Sequence, residues 1–225
     1  MLESLPVTAK VSLILASNSP RRRQLLALTG IPFMVSVADV DESRFVNETP
    51  PDYVLRLAET KARAIQADAD QVVLAADTTV VTGSDILGKP RDEAEAIDML
   101  RRLRGHTHQV YTGIALLRAR DGFLLKDLCV TDVPMRDYSN EELRAYVATG
   151  DPLDKAGAYA IQHAEFHPVA RMDGCFASVM GLPVCHVIRQ MRKMGLQPDT
   201  NFFAGCETLL ESNCPVSNAI LNSEM

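Results

Sequence analysis

Short apolar runs alternating with helical periodicity are the feature that most limits what this chain can become. Residues 10–16 (KVSLILA) are brief and rich in Val, Ile and Leu, as a buried strand is. Ser19 then stands as an N-cap with Pro20 at the first helical position, and RRRQLLALT runs on to Gly30 as a left-handed stop. Residues 31–37 read as a second strand. A helix over about 51–67 places Val54, Leu57, Ala58, Lys61, Ala62 and Ile65 along one face. Residues 72–81 form an apolar strand interrupted by Asp77, Thr78 and Thr79, and Gly83-Ser84-Asp85 turns it back through Ile86 and Leu87 as a hairpin. After Gly88-Lys89-Pro90 comes a helix over 92–103, then a hairpin of 109–117 and 123–135 about Asp121-Gly122. Ser139-Asn140-Glu141-Glu142 is a capping box for a helix that stops at Gly150. A last helix, 183–194, carries Val184, Val187, Ile188, Met191 and Met194 on its apolar face. There is no internal repeat. This order predicts an α/β fold with mixed strand directions.

Composition narrows the function. The 225 residues suffice for one large α/β domain or two small ones. A net charge of −6 argues against wrapping nucleic acid, which needs many Lys and Arg contacts to phosphate, so a bound anion must sit in a local basic cluster. No apolar run approaches the ~20 residues of a membrane span. Residues 11–16 are no signal-peptide core either, being too short and followed at once by three arginines. Five scattered cysteines (129, 175, 185, 206, 214), with no C-x-x-C pair, predict buried or idle thiols in a reducing cytoplasm. The expectation is a soluble cytoplasmic protein with neither nucleic acid nor membrane as partner. Residues 197–225 turn polar and read as an appendage, ordered in part at best.

Two constellations carry chemistry. In Ser17-Asn18-Ser19-Pro20-Arg21-Arg22 a strand ends and a helix begins, with its free N–H groups pointing back toward the loop. Such a start favours phosphate through its dipole, and hydroxyls and guanidinium groups there add charge-assisted bonds. The other reading is a solvated helix start. The P-loop spacing G-x-x-x-x-G-K-[ST] is absent. In Ala75-Ala76-Asp77-Thr78-Thr79 a carboxylate interrupts an apolar strand, which is costly unless it is paired or metal-bound. Asp77 is thus a candidate general base or metal ligand, or else a strand-end residue making a turn bond. Gly88-Lys89-Pro90 brings a lysine back to the same sheet end. Glu42, Lys61 and Lys155 carry no signal alone.

Together these segments closely resemble the Maf family of nucleotide pyrophosphatases. The resemblance rests on LILASNSPRRRQLL (13–26), ADVDE (38–42), LAETKA (57–62), AADTTVV (75–81), the long block 86–116, YVATGDPLDKAGAYAIQ (146–162) and GLPV (181–184). It spans about residues 11–196, which sets off a lead of 1–10 and an extension of 197–225. The resemblance implies a mixed central sheet flanked by helices, with two lobes around a deep cleft like that of the inosine triphosphatases, and often a homodimer. It implies hydrolysis of a nucleoside triphosphate to its monophosphate and pyrophosphate with a divalent cation, Mg²⁺ or Mn²⁺. By position, Asp77 matches the family's proton acceptor. Ser17, Arg21, Arg22, Lys61 and Lys89 match its phosphate-binding residues, and Glu42 an acidic cleft residue that would help Asp77 hold the metal. Arg21, Thr78 and Gln162 match the positions defining the branch that acts on dTTP and UTP. Two rivals stand beside this: the sister branch acting on 7-methyl-GTP, which carries Glu at the position of Gln162, and a non-catalytic nucleotide-binding regulator of cell division. The latter would not need Asp77.

Overall fold

A six-stranded mixed sheet in the order β2-β1-β3-β5-β6, with β4 paired to β3, organises the chain. The computed structural model describes residues 12–37, 39–199, 201–210 and 214–222. In chain order the elements are β1 (Ser12–Leu15), α1 (Pro20–Ala27), β2 (Phe33–Val35), α2 (Pro50–Arg63), β3 (Gln71–Thr82), β4 (Asp85–Leu87), α3 (Glu93–Leu103), β5 (Thr107–Arg118), β6 (Phe123–Pro134), α4 (Asn140–Val147), α5 (Phe176–Val179), α6 (Val184–Lys193), α7 (Phe202–Leu210) and α8 (Ser217–Asn222). Two 3₁₀ turns, Asp151–Asp154 and Ala156–Ala158, follow α4. The expected lead of residues 1–10, and the first two residues of the expected opening strand, lie outside the described residues.

Strand directions follow from the connections. The crossovers through α1 and α2 are long enough to bring β2 and β3 back parallel to β1, whereas the short turns before β4 and β6 give antiparallel pairs. The caps fall where the sequence signals them. Ser19 accepts from the Arg22 backbone N–H with Pro20 at the start of α1, and Ser139 and Glu142 form a reciprocal capping box on α4.

The side-chain period of two divides the core between the two faces of the sheet. Val73 and Ala75 of β3 and Ala115 of β5 pack with Ala58, Ala62 and Ile65 beneath α2. Val72, Leu74 and Ala76, with Ile114 and Leu116, pack into the larger core that includes residues of α3, α4 and α6. Gly113 lies opposite Asp77 in the β3–β5 register. A Cβ on Gly113 would stand 2.8 Å from the Val54 carbonyl carbon and oxygen, so the backbone of α2 rests directly on the strand.

The C-terminal extension departs from the expected appendage. Phe202 and Cys206, one turn apart on α7, are buried in the main core, and Val216, Ile220 and Leu221 pack against it. The Asp199 N–H donates to the Thr29 carbonyl at 2.7 Å, which fastens the entry to this segment. The polar residues on either side hide a largely apolar helix, FFAGCETLL.

Candidate active site

The cleft arises from a gap in strand pairing. β1 ends at Leu15 opposite Leu74, and β4 takes up β3 again only at Val80. Between them, residues 75–79 of β3 are laddered on the β5 side alone. This open edge faces a cleft of about 1010 Å³. All nine residues expected in the site line it: Ser17, Arg21, Arg22, Glu42, Lys61, Asp77, Thr78, Lys89 and Gln162.

Alternation along β3 sends Asp77 to the α2 face, where Lys61 Nζ meets its Oδ1 at 2.6 Å. The same ammonium meets Glu42 Oε1, also at 2.6 Å. Burial pushes the Asp77 carboxyl above its ordinary value of 3.8, while Lys61 and Arg22 pull the other way. Burial opposes the charge on Glu42 as well, but its hydrogen bond and charge contact with Lys61 hold it below its ordinary 4.5. A carboxylate held above its usual range in a cleft is a stronger base than an exposed one.

Thr78 points to the opposite face. Its Oγ1 lies 3.0 Å from Thr112 Oγ1, whose hydroxyl donates to the Ser178 carbonyl at 2.9 Å. Arg22 joins the pieces: Nε donates to the Gly181 carbonyl at 2.9 Å, Nη2 to Thr78 Oγ1 at 3.3 Å and Nη1 to Ser17 Oγ at 3.4 Å. Gly181 has φ +110, and a Cβ there would meet Arg22 Nε at 3.2 Å. Glycine is therefore required both by the backbone angle and by the guanidinium. Arg21 and Lys89, by contrast, form no salt bridge among the described residues, so two cations face the cleft without a carboxylate partner. Gln162 is exposed, and no hydrogen bond from its amide is made among the described residues.

Three contributors escaped sequence reasoning. The Gly181 carbonyl reaches Arg22 from 159 residues away, and the Thr112–Ser178 bond is equally non-local. Tyr53, whose hydroxyl donates to the Glu42 carbonyl at 2.9 Å, did leave a signal, since it sits eight residues before Lys61 on the same helix face. Lys155 also lines the cleft, but its Nζ is bonded to Asp151 and Asp154.

Asp77 and Glu42 offer the oxygen donors a hard divalent cation takes, and both converge on one ammonium position. No group of three or more His, Cys, Asp or Glu among the described residues is arranged to hold a metal. A cation here would take its remaining oxygens from substrate and water, as Mg²⁺ commonly does.

The family described as "Maf-like protein" matches residues 12–194. A protein of Geobacter sulfurreducens named dTTP/UTP pyrophosphatase is 47% identical over 188 residues, covering 83% of this chain and 98% of its own. Proteins of the same name from Hahella chejuensis and Bacillus cereus are 45% and 43% identical, covering 82% of this chain and 93% and 96% of theirs. Among solved structures, a HAM1 protein from Coxiella burnetii is similar with a TM-score of 0.46 and 15% identity, covering 90% of this chain and 100% of its own.

Proposed function

This chain belongs to the Maf family, and on that premise we propose that it hydrolyses dTTP and UTP to the monophosphate and pyrophosphate. The observation that carries this reading is the buried Asp77 carboxylate at the open edge of β3, facing a cleft in which Arg21 and Lys89 have no ion-pair partner among the described residues. Asp77 orients a water and accepts its proton as the water oxygen attacks the α-phosphorus. The bond from that phosphorus to the bridging oxygen breaks, and the bridging oxygen leaves with pyrophosphate. Arg21, Lys89 and the N-terminal end of α1 meet the charge that grows on the leaving group. Lys61 holds Asp77 in place, and Arg22 fixes the hydroxyls of Ser17 and Thr78 beneath the phosphates. A divalent cation, Mg²⁺ or Mn²⁺, held by Asp77 and Glu42, would neutralise the triphosphate chain. No covalent enzyme intermediate is needed.

Gln162 reads the base. Uracil and thymine present N3–H beside a carbonyl, and an amide offers the reciprocal acceptor and donor. Guanine presents two donors, which suit a carboxylate instead. The relatives' names support the pyrimidine assignment. No helix among the described residues is long and apolar enough to cross a membrane, which agrees with a cytoplasmic enzyme acting on free nucleotides. The test is pyrophosphate release from purified UTP, dTTP, CTP, GTP and 7-methyl-GTP with Mg²⁺ or Mn²⁺. Release from UTP and dTTP ahead of the others is expected, and equal rates on all five would remove the base assignment.

A further inference from the structure

Along β6, the edge strand two places from β3, is a second cavity of about 650 Å³. Cys129, Cys175 and His186 line it, and Val216 and Ile220 of the C-terminal segment cover it. Asp127 and Cys129 are two residues apart on β6 and so share a face of the sheet. His186 of α6 faces both: its Nδ1 lies 3.2 Å from Asp127 Oδ2, and it lines the same cavity as the Cys129 thiol. Asp127 is fixed in turn by Arg189 at 2.6 Å and Gln190 at 2.7 Å. The arrangement is a thiol, a base and an orienting carboxylate, in the order a nucleophile needs. A second thiol, Cys175, lines the same cavity, and its neighbour Gly174 packs against Thr131, two residues along β6 from Cys129. A hydrolytic triad has no use for that second thiol, and the cluster is not arranged to hold a metal. A dithiol oxidised in two steps uses every member.

We propose that Cys129 and Cys175 form an oxidisable pair, with Cys129 the sulfur that attacks a hydroperoxide and Cys175 the sulfur that resolves it. The Cys129 proton passes to His186. The thiolate attacks the distal peroxide oxygen, the O–O bond breaks, and the departing alkoxide takes the proton from His186, leaving Cys129 as a sulfenic acid and releasing an alcohol, or water when the oxidant is hydrogen peroxide. Cys175 sulfur then attacks the sulfenic sulfur, and the hydroxyl leaves with the Cys175 proton as water. Two thiols are oxidised to one disulfide and one peroxide is reduced. The electrostatics agree. The Cys175 thiol, opposed by burial and aided by His186, holds the Cys129 thiol well below the ordinary thiol range. Burial opposes the charge on His186, but Asp127 and Cys129 raise it to about 9.

The bridge would join β6 to Cys175, the N-cap of α5. That short helix leads to the Ser178 and Gly181 carbonyls that hold Thr112 and Arg22.

The experiment treats the full chain with a small excess of hydrogen peroxide and follows intact mass, free thiols and peptide mapping. Loss of two of the five thiols, a Cys129–Cys175 linked peptide and recovery with a dithiol reductant are expected. Cys175→Ser should leave Cys129 as a sulfenic acid that a dimedone-type probe captures. His186→Gln should slow thiol loss by about tenfold, since the thiolate is the reacting form. Cys129→Ala serves as a second variant should Cys129→Ser fold poorly. The proposal is overturned if either Cys129 variant loses thiols as fast as the unaltered chain. Oxidation confined to Cys185, Cys206 or Cys214 would overturn it equally.

Discussion

Asp77 and Asp127 sit on strands of one sheet, with side chains equally withdrawn from solvent at 10% and 13% exposed. Side-chain exposure therefore barely distinguishes them, but hydrogen bonding does. Among the described residues Asp77 accepts from Lys61 alone. Asp127 accepts from Arg189, Gln190 and the Leu128 N–H, and faces His186. Burial raises both carboxyls, yet the balance comes out oppositely: Asp77 ends above its ordinary value, whereas hydrogen bonds take Asp127 well below it. A buried carboxylate with one partner costs stability and keeps lone pairs for a ligand. A saturated one holds the fold together. The number of partners, more than side-chain exposure, separates the proposed proton acceptor from the carboxylate that ties β6 to α6.

The sharpest way to break this contrast is Asp77→Asn. Turnover should fall by about 10²–10⁴, because the amide cannot take a proton, while the thermal midpoint stays level or rises. Retention of more than about a tenth of the unaltered kcat would remove Asp77 from its central role. Next come Arg21→Ala and Lys89→Ala, each expected to lower kcat/KM by about ten- to a hundredfold, as loss of a charged hydrogen bond does. For Lys89 the loss should be the same with every base. A shift in base preference with the best substrate unharmed would sink the clamp.

Asp127→Asn should show the mirror image of Asp77→Asn. Denaturant unfolding should report a loss of about 1.5–3 kcal/mol with turnover largely kept. Catalytic collapse in a stable Asp127→Asn protein would erase the distinction. Gln162→Glu should cost about ten- to a hundredfold on UTP and dTTP and much less on guanine nucleotides, with no change in stability. Equal losses across bases would make Gln162 a support of the cleft wall.

The smallest effect is a pH dependence. With its folded pKa raised, Asp77 keeps its proton in the native state after the unfolded state has released it. Its contribution to stability is therefore present below 3.8 and lost as pH rises through the folded value, and Asp77→Asn should remove that fall. Over the same interval kcat/KM of the unaltered enzyme should climb with pH. A stability curve identical in the two proteins would contradict the shift.

What was legible in the sequence was whatever broke a local rule. Asp77 inside an apolar strand and the arginines at a helix start are out of place by composition alone, so they stood out before any fold was known, and the fold brings them to one cleft. The caps at Ser19 and Ser139 were equally local. What stayed hidden was assembled across the sheet. Nothing near residue 129 announces His186, and nothing near Arg22 announces the Gly181 carbonyl, because those contacts form only when α5 and α6 pack on β5 and β6. The C-terminal helices were obscured differently. The apolar run FFAGCETLL of α7 is short and stands between stretches rich in Asn, Ser, Asp, Glu and Pro, so the average polarity of residues 197–225 masked the one-turn spacing of Phe202 and Cys206. The gap between β1 and β4 that opens the cleft depends on register, which periodicity does not report.

The contact of Gly113 with Val54 bears on how firmly the chemical centre is held. Most helix–sheet layers are spaced by side chains, and a rotamer hop on either surface lets the layer breathe. Here backbone meets backbone beside Asp77, so the spacer has no torsion to turn. Lys61 rides on the same helix about two turns farther on. The backbone spacing from which Lys61 reaches the Asp77 carboxylate is thus fixed even though the lysine side chain keeps its own torsions, and the absence of one methyl group works as a gauge block between helix and strand.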